Sequence, residues 1–377
     1  MAQISLEQYR EHFSAADGYM DFARYGPPSD VVAAASAMSL VTASSDFADI
    51  DSLSAVETAT LSKVAEMTGR RSGESVTFAA SASAAISLVA FALPGGPSAE
   101  VLVSPREFPA NIYPWVRAQN FGGPRVAWLD TPDGKVTPDT VAAALTSSTV
   151  ALAVSAVDFR TGHRVDLPGL REVLGERLLL VDAIQGFGVC DIDWSVADAV
   201  MVGGQKWLRA SWGTGFISLS SRGETRLGEG LAGWTTVENP TLYDGLLHET
   251  LASAKRFSLT NADLIAVSRL SAALELLDDV TLKVVEQQVL ETVRSVRDVV
   301  ARHGGETIVP LKEGELSGIV SFRLPNLAPE QIREFLRRSG ILITKHDGYV
   351  RLSAHATTPQ STIDAFDAAL SQLVKRS

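Results

Sequence analysis

Between Val76 and Leu219 the chain repeats one alternation: a short run rich in Val and Leu, bounded by Gly, Pro or Asp, then a segment of helical spacing. The runs are Ser75–Phe78, Val101–Ser104, Val126–Leu129, Val150–Val154, Leu178–Val181, Ala199–Val202 and Gly215–Leu219. Strands that are apolar at consecutive positions, rather than at every second one, must be covered on both faces. Alternating with helices, they predict an α/β fold with a mainly parallel sheet of about seven strands. Open sheets of this kind build their sites at the carboxyl ends of the strands.

Two charged residues arrive at that edge. Leu178-Leu179-Leu180-Val181 ends in Asp182, with Gln185 three residues on. Ala199-Val200-Met201-Val202 leads through Gly203-Gly204-Gln205 to Lys206. Singly, Asp182 reads as a strand-end turn residue and Lys206 as a solvated lysine. Jointly they are the two groups pyridoxal phosphate needs. A lysine forms a Schiff base with the aldehyde, and a carboxylate keeps the ring nitrogen protonated. The phosphate also needs a cradle. Ala79-Ala80-Ser81-Ala82-Ser83, between the Thr77-Phe78 strand end and the helix from Ala84 to Leu93, offers small residues, hydroxyls and helix-start N–H groups. Taken alone, Ser83 reads more readily as a helix cap.

Composition narrows the class. At 377 residues and 46% hydrophobic content, the chain is long enough for two domains. We divide it into an N-terminal segment (1–28) packing on the small domain, a large cofactor domain (29–255) and a small α+β domain (256–377). The first contains a helix from Ser5 to about Ala16, and helices are expected near Ser29–Val41 and Asp51–Gly69. In the last, a helical stretch from Asn261 to about His303 precedes strands at Gly318–Arg323, Ile341–Thr344 and Tyr349–Leu352, with helices at Ala328–Arg338 and Thr358–Val374. A net charge of -11 without a basic stripe argues against nucleic acid and anionic membrane as partners. The single cysteine, Cys190, excludes a disulfide framework and suits a reducing cytoplasm. The histidines show no metal-ligand spacing, so no metal is expected. Met1 to Glu7 has no signal pattern, and the apolar run Ala84–Leu93 is too short for a bilayer, so the expected location is cytoplasmic. Gly186-Phe187-Gly188 mimics a dinucleotide fingerprint, but Asp191 at its sixth position would repel a pyrophosphate.

The chain resembles the class-V aminotransferase branch of fold-type-I pyridoxal-phosphate enzymes, which includes cysteine desulfurases, isopenicillin-N-epimerase-like proteins, kynureninases and C–S lyases. The resemblance runs through Tyr19-Met20-Asp21-Phe22-Ala23, Glu107-Phe108-Pro109-Ala110-Asn111-Ile112-Tyr113-Pro114-Trp115, Thr161-Gly162, Asp182-Ala183-Ile184-Gln185, Gln205-Lys206-Trp207-Leu208 and Val350-Arg351-Leu352-Ser353. It implies Lys206 as the Schiff-base lysine, Asp182 on the pyridinium nitrogen and Gln185 on the ring hydroxyl. Ser81, Ala82 and Ser83, with Gln205, would hold the phosphate. Phe108 would stack on the ring where many relatives carry histidine. Arg351 would clamp the substrate carboxylate through its planar fork. Tyr25 is a further candidate for the substrate pocket, and His355, four residues past Arg351, reads equally as a pocket residue or as a surface or packing one. Trp234 and Asn261 match regions that reach the phosphate from a neighbouring subunit, so a homodimer with a shared active site is implied.

The implied activity is that of a pyridoxal-phosphate enzyme on an α-amino acid, through an external aldimine and a quinonoid, of aminotransferase or C–S β-lyase type. Kynureninase-like cleavage, epimerisation and a non-catalytic binding protein of the same fold are the alternatives. Residues 339–352 contain no cysteine, which argues against persulfide-forming desulfuration.

Overall fold

The structure is a computed structural model and describes residues 3–14, 17–44, 50–131 and 133–376. Helix α1 (Leu6–Glu11) starts in a capping box between Ser5 and Gln8. It stops at Glu11 because the chain turns there to meet α2 (Asp30–Ala43): His12 Nδ1 lies 2.9 Å from the Asp30 carboxylate, and the Asp30 N–H donates to the His12 carbonyl. The expected helix end at Ala16 lies outside the described residues. Helix α3 (Ile50–Met67) follows.

All seven apolar runs are strands of one sheet: β1 (Val76–Phe78), β2 (Glu100–Val103), β3 (Arg125–Trp128), β4 (Thr149–Ser155), β5 (Leu178–Asp182), β6 (Ala199–Gly203) and β7 (Gly215–Leu219). Their order is β1-β7-β6-β5-β4-β2-β3. Strands β3, β2, β4, β5 and β6 are parallel, and β7 runs antiparallel to both neighbours. The double coverage read from the sequence has a direct structural counterpart. Leu179, Val181, Val200 and Val202 enter one apolar cluster, while Leu178, Leu180, Ala199 and Met201 enter the other, on the opposite face. Helices α4 (Ala82–Phe91) and α5 (Tyr113–Asn120) pack on the second face. Helices α6 (Pro138–Ala144) and α7 (Leu167–Leu174) pack together, both burying side chains in the first cluster, and α8 (Ser221–Arg226) follows β7.

The long helical stretch is two helices, α9 (Leu264–Val280) and α10 (Leu282–Arg302), rather than one. Thr281 adopts φ 67, a left-handed backbone that a continuous helix cannot contain. Helix α9 packs on α2 and α3. Helix α10 packs on the second sheet, formed by β8 (Glu306–Thr307), β9 (Ile319–Arg323), β10 (Thr344–His346) and β11 (Tyr349–Ser353) in the order β10-β11-β9-β8, all antiparallel. Helices α11 (Pro329–Arg338) and α12 (Gln360–Val374) cover it. The strand expected at Ile341–Thr344 begins only at Thr344. Leu342 is occupied elsewhere: its N–H bonds the Gly18 carbonyl and its carbonyl accepts from Met20. The N-terminal segment thus lies along the small sheet, with a second bridge between Asp21 and Ser353. Among the described residues no helix is long and apolar enough to cross a membrane.

Candidate active site

Strand register brings the acid and the amine together. Asp182 is the last residue of β5 and pairs in register with Met201 of β6, which ends at Gly203; Lys206 follows three residues later. Asp182 is 2% exposed, accepts one N–H from Ile184 at 3.1 Å, and makes no ion pair among the described residues. Burial pushes its carboxyl up from the ordinary aspartate range, against the pull of that N–H and of the Lys206 charge. Lys206 is pushed down to about 8, first by burial. The Asp182 and Asp21 carboxylates oppose that fall, and the Arg351 guanidinium adds to it. The Lys206 ammonium lies 5.7 Å from the centroid of the Phe108 ring. An acid, an amine and an aromatic face therefore share one pocket.

The backbone around Lys206 is tightly constrained. Residues 204–214 close a hairpin-like loop in which Gly204 N–H bonds the Thr214 carbonyl and Ala210 N–H bonds the Gly204 carbonyl. Arg209 (φ 56) and Ser211 (φ 68) hold left-handed conformations that cost non-glycine residues energy and persist only when surroundings impose them. The imposition is visible. Arg209 bonds the Pro27 carbonyl and Thr357, and its guanidinium sits 3.6 Å from the Phe13 ring centroid. Gly26 donates to the Gln205 carbonyl, and a Cβ on Gly26 would stand 2.0 Å from the Lys206 oxygen. Gln185 joins the same assembly: its oxygen accepts from Trp207 Nε1 at 2.8 Å and its nitrogen donates to Ala23 at 3.0 Å. An amide nitrogen carries two hydrogens, so one remains for a ligand oxygen.

The residues present fit pyridoxal phosphate. Helix α4 begins at Ala82, and Ser81, not Ser83, is its cap, accepting from the Ala84 N–H at 3.2 Å. The amides of Ala82 and Ser83 have no acceptor among the described residues. They form an anion-binding start to the helix. Gly203 faces this point. A Cβ there would lie 3.1 Å from the Ala82 nitrogen and 2.7 Å from the Gln205 side-chain oxygen, so only glycine lets the backbone approach the start of the helix this closely. Ser83 is exposed beside it. At the other end Asp182 offers a buried carboxylate to a ring nitrogen. Between them the Phe108 ring, 44% exposed, is free to cover a planar group.

Arg351 of β11 marks the far side of the pocket. One terminal nitrogen donates to the Phe159 carbonyl at 2.9 Å, the other stands 3.8 Å from Asp21 Oδ1, and Nε has no partner. Asp21 also accepts from the Thr344 hydroxyl at 2.8 Å. Tyr25 sits at the rim, stacked on Trp212 with ring centroids 4.1 Å apart. His355 does not line the pocket. It is 0% exposed, stacked against Phe22 and near-parallel to Trp207, with Nδ1 beside the Thr357 hydroxyl. The packing role therefore replaces the expected substrate contact. Trp234 and Asn261 lie on an exposed segment, where Trp234 Nε1 donates to the Thr260 hydroxyl at 3.3 Å. Cys190 is buried, and burial pushes its thiol up to about 12, which leaves it unreactive.

Two acids of the site received no role from sequence reasoning: Asp21, beside Arg351, and Glu107, immediately before Phe108. Both stand in the segments that carried the family resemblance. Their partners, Thr344 and Ser155, are far along the chain, and no local pattern points to them.

Comparisons with known proteins bear on the fold and the family. A kynureninase from Deinococcus radiodurans is 26% identical over 196 residues, covering 49% of this chain, and the match spans 47% of that relative's length. Among solved structures, the cysteine desulfurase from Thermococcus onnurineus NA1 superposes with a TM-score of 0.90 at 18% identity over 100% of both chains. The Escherichia coli cysteine desulfurase CsdA gives 0.86 at 20% identity over 99% of each. The cystine C–S lyase C-DES gives 0.86 at 18% identity, covering 96% of this chain and 98% of its own. The sequence profile of class-V aminotransferases matches residues 36–360, and the chain belongs to that family of pyridoxal-phosphate enzymes.

Proposed function

We propose that the protein is a pyridoxal-phosphate enzyme acting on an α-amino acid, of aminotransferase or C–S β-lyase type, with Lys206 as its covalent and proton-transferring residue. One observation carries this reading: Lys206, held down to about 8, and buried Asp182 act on each other in a pocket roofed by Phe108. Bound pyridoxal phosphate supplies an electron sink for the bond broken at the α-carbon. Everything else falls to the chain's own residues. Arg351 offers its unpartnered Nε and the nitrogen facing Asp21 to a substrate carboxylate, which fixes the α-carbon. The Lys206 amine, neutral in a sizeable fraction at physiological pH, takes the α-proton. Phe108 cannot relay protons, so no histidine competes for that task at its position. The Asp182 carboxylate holds a cationic nitrogen and keeps its proton in place. Phe108 excludes water from the face where the proton moves.

The two leading reactions differ in what leaves. In C–S β-elimination the Cβ–S bond breaks, and an S-substituted cysteine with one water yields pyruvate, ammonia and a thiol. Transamination would instead release the substrate's α-keto acid and pass its amino group to an acceptor keto acid. The C–S lyase among the structural neighbours supports the first and the family profile the second. A kynureninase-like cleavage is the second reading, favoured by the kynureninase relative and by Phe159, whose ring stands 5.1 Å from Phe108. The test is a panel of amino acids given to the yellow, cofactor-loaded protein. Pyruvate with ammonia from S-substituted cysteines indicates the lyase, loss of the yellow band with pyridoxamine phosphate formation indicates the transferase, and anthranilate from kynurenine indicates the third. A wild-type protein that stays colourless with added pyridoxal phosphate overturns the enzyme reading.

A further inference from the structure

Glu107 is a buried acid that the chemistry above does not use. It is 9% exposed, and both of its oxygens are taken by one residue: Oε1 accepts the Ser155 N–H at 2.9 Å and Oε2 meets the Ser155 hydroxyl. Ser155 ends β4 and is the register partner of Asp182 on β5. The residue before the Phe108 ring is therefore tied to the strand beside the catalytic acid. On the other side of the ring, the Phe108 carbonyl accepts from the Asn111 N–H at 2.7 Å, and the Asn111 side chain is held by Trp115 Nε1 at 3.0 Å. The ring hangs between two fixed points.

Burial pushes Glu107 up to about 7. The two Ser155 bonds oppose the rise, and the carboxylates of Asp158 and Asp182, which face it from beyond β4 and from β5, add to it. No cation pairs with it among the described residues. Its charge thus changes near neutral pH, yet the grip does not depend on that charge. An ionised carboxylate accepts from both Ser155 donors. A protonated one keeps the N–H on Oε1 and donates from Oε2 to the Ser155 oxygen, whose own hydrogen turns away. Ser155 supplies the one kind of group, a hydroxyl, that can serve either state.

We propose that Glu107 is a positioning residue for Phe108: by gripping Ser155 it fixes the aromatic face over the Lys206 amine, whatever its own charge. The inference rests on the reading of Lys206 as the working amine, and two independent readouts separate their failures. The first is the affinity for pyridoxal 5'-phosphate, and the second is the pH midpoint of Lys206 acetylation in cofactor-free protein, followed by peptide mass. Four variants form a cycle with the wild type: E107Q, E107A, F108A and E107A/F108A.

E107Q, which can accept at Oε1 and donate from its amide to the Ser155 oxygen, is expected to keep both readouts within about twofold, or within about 0.2 pH unit. F108A admits water and raises the Lys206 midpoint by roughly half a pH unit or more. E107A, leaving the Ser155 N–H without its acceptor, is expected to weaken cofactor binding about tenfold and to raise the midpoint as F108A does. The double variant is expected to equal F108A alone. Additive effects of E107A and F108A, or an E107Q as damaged as E107A, overturn the proposal. Should E107A not fold, S155A replaces it with the same expected direction. If no variant binds cofactor but the Lys206 midpoints follow the cycle, the positioning role stands and the enzyme reading falls.

Discussion

The Asp182–Lys206 pocket and the segment from Leu231 to Asn261 differ in how they treat polar and apolar groups. In the pocket the acids are buried, and Glu107 and Asp21 are held by Ser155 of β4 and Thr344 of β10. Along the segment, large apolar side chains face outward: Leu247 is 103% and Tyr243 88% exposed, with Leu242, Leu246 and Trp234 beside them. Lone exposed apolar residues are ordinary, but this many in one stretch mark a contact surface. We propose that a second copy covers it and brings Trp234 and Asn261 to the neighbouring pocket. On that proposal, the inner wall of the site is closed within one chain and its outer wall by assembly.

That contrast can be broken most sharply from the inside. Asp182→Asn keeps the shape but not the charge, and activity is expected to fall by about 10²-fold or more, with cofactor still bound. An unchanged turnover would remove Asp182 from the chemistry. Arg351→Lys exchanges a planar fork for a point charge, and KM for the amino acid should rise about 10- to 100-fold with kcat little altered. If kcat falls and KM holds, Arg351 is not the carboxylate clamp.

The outer wall is tested by Tyr243→Glu/Leu247→Glu. We expect subunit association to weaken at least about tenfold by sedimentation, and activity to fall in step with the loss of dimer. A fully active monomer at assay concentration contradicts a shared site. The smallest effect expected concerns Glu107. Its carboxyl is raised from 4.5 in the unfolded chain to about 7 in the folded one. Between those values the unfolded chain has released the proton that the folded chain still holds, so stability falls as pH rises from 4.5 to 7. Glu107→Gln should flatten the part of the stability profile in that window that Glu107 contributes. Urea unfolding of both proteins across the window checks it, and parallel profiles refute it.

The two sheets were also unequally legible in the sequence. The large sheet could be read because its strands are covered on both faces and so are apolar at consecutive positions. Asp182 and Lys206 stood out only as a pair: each alone reads as an ordinary turn or surface residue, and together they are the two groups pyridoxal phosphate needs. The second sheet and the helices leading to it were less clear. The Thr281 break depends on one backbone angle, and the late start of β10 depends on the N-terminal segment claiming Leu342. Contacts between distant residues left no trace in spacing. The grip of Glu107 on Ser155 joins residues 48 apart, and the bond from Thr344 to Asp21 joins residues 323 apart. His355 was open between two readings: four residues from Arg351 it fits a pocket or a packing role alike, and the chain, leaving β11 at Ser353, carries it into the aromatic core.

The central claim is that one amine and one acid serve the same cofactor ring. It is tested most directly by reducing the cofactor-loaded protein with borohydride and locating the pyridoxyl group by peptide mass. A single modification on Lys206, absent from Lys206→Ala and spectrally shifted in Asp182→Asn, is the expected result. A pyridoxyl group on any other lysine, or a Lys206 adduct whose spectrum ignores Asp182, contradicts the account.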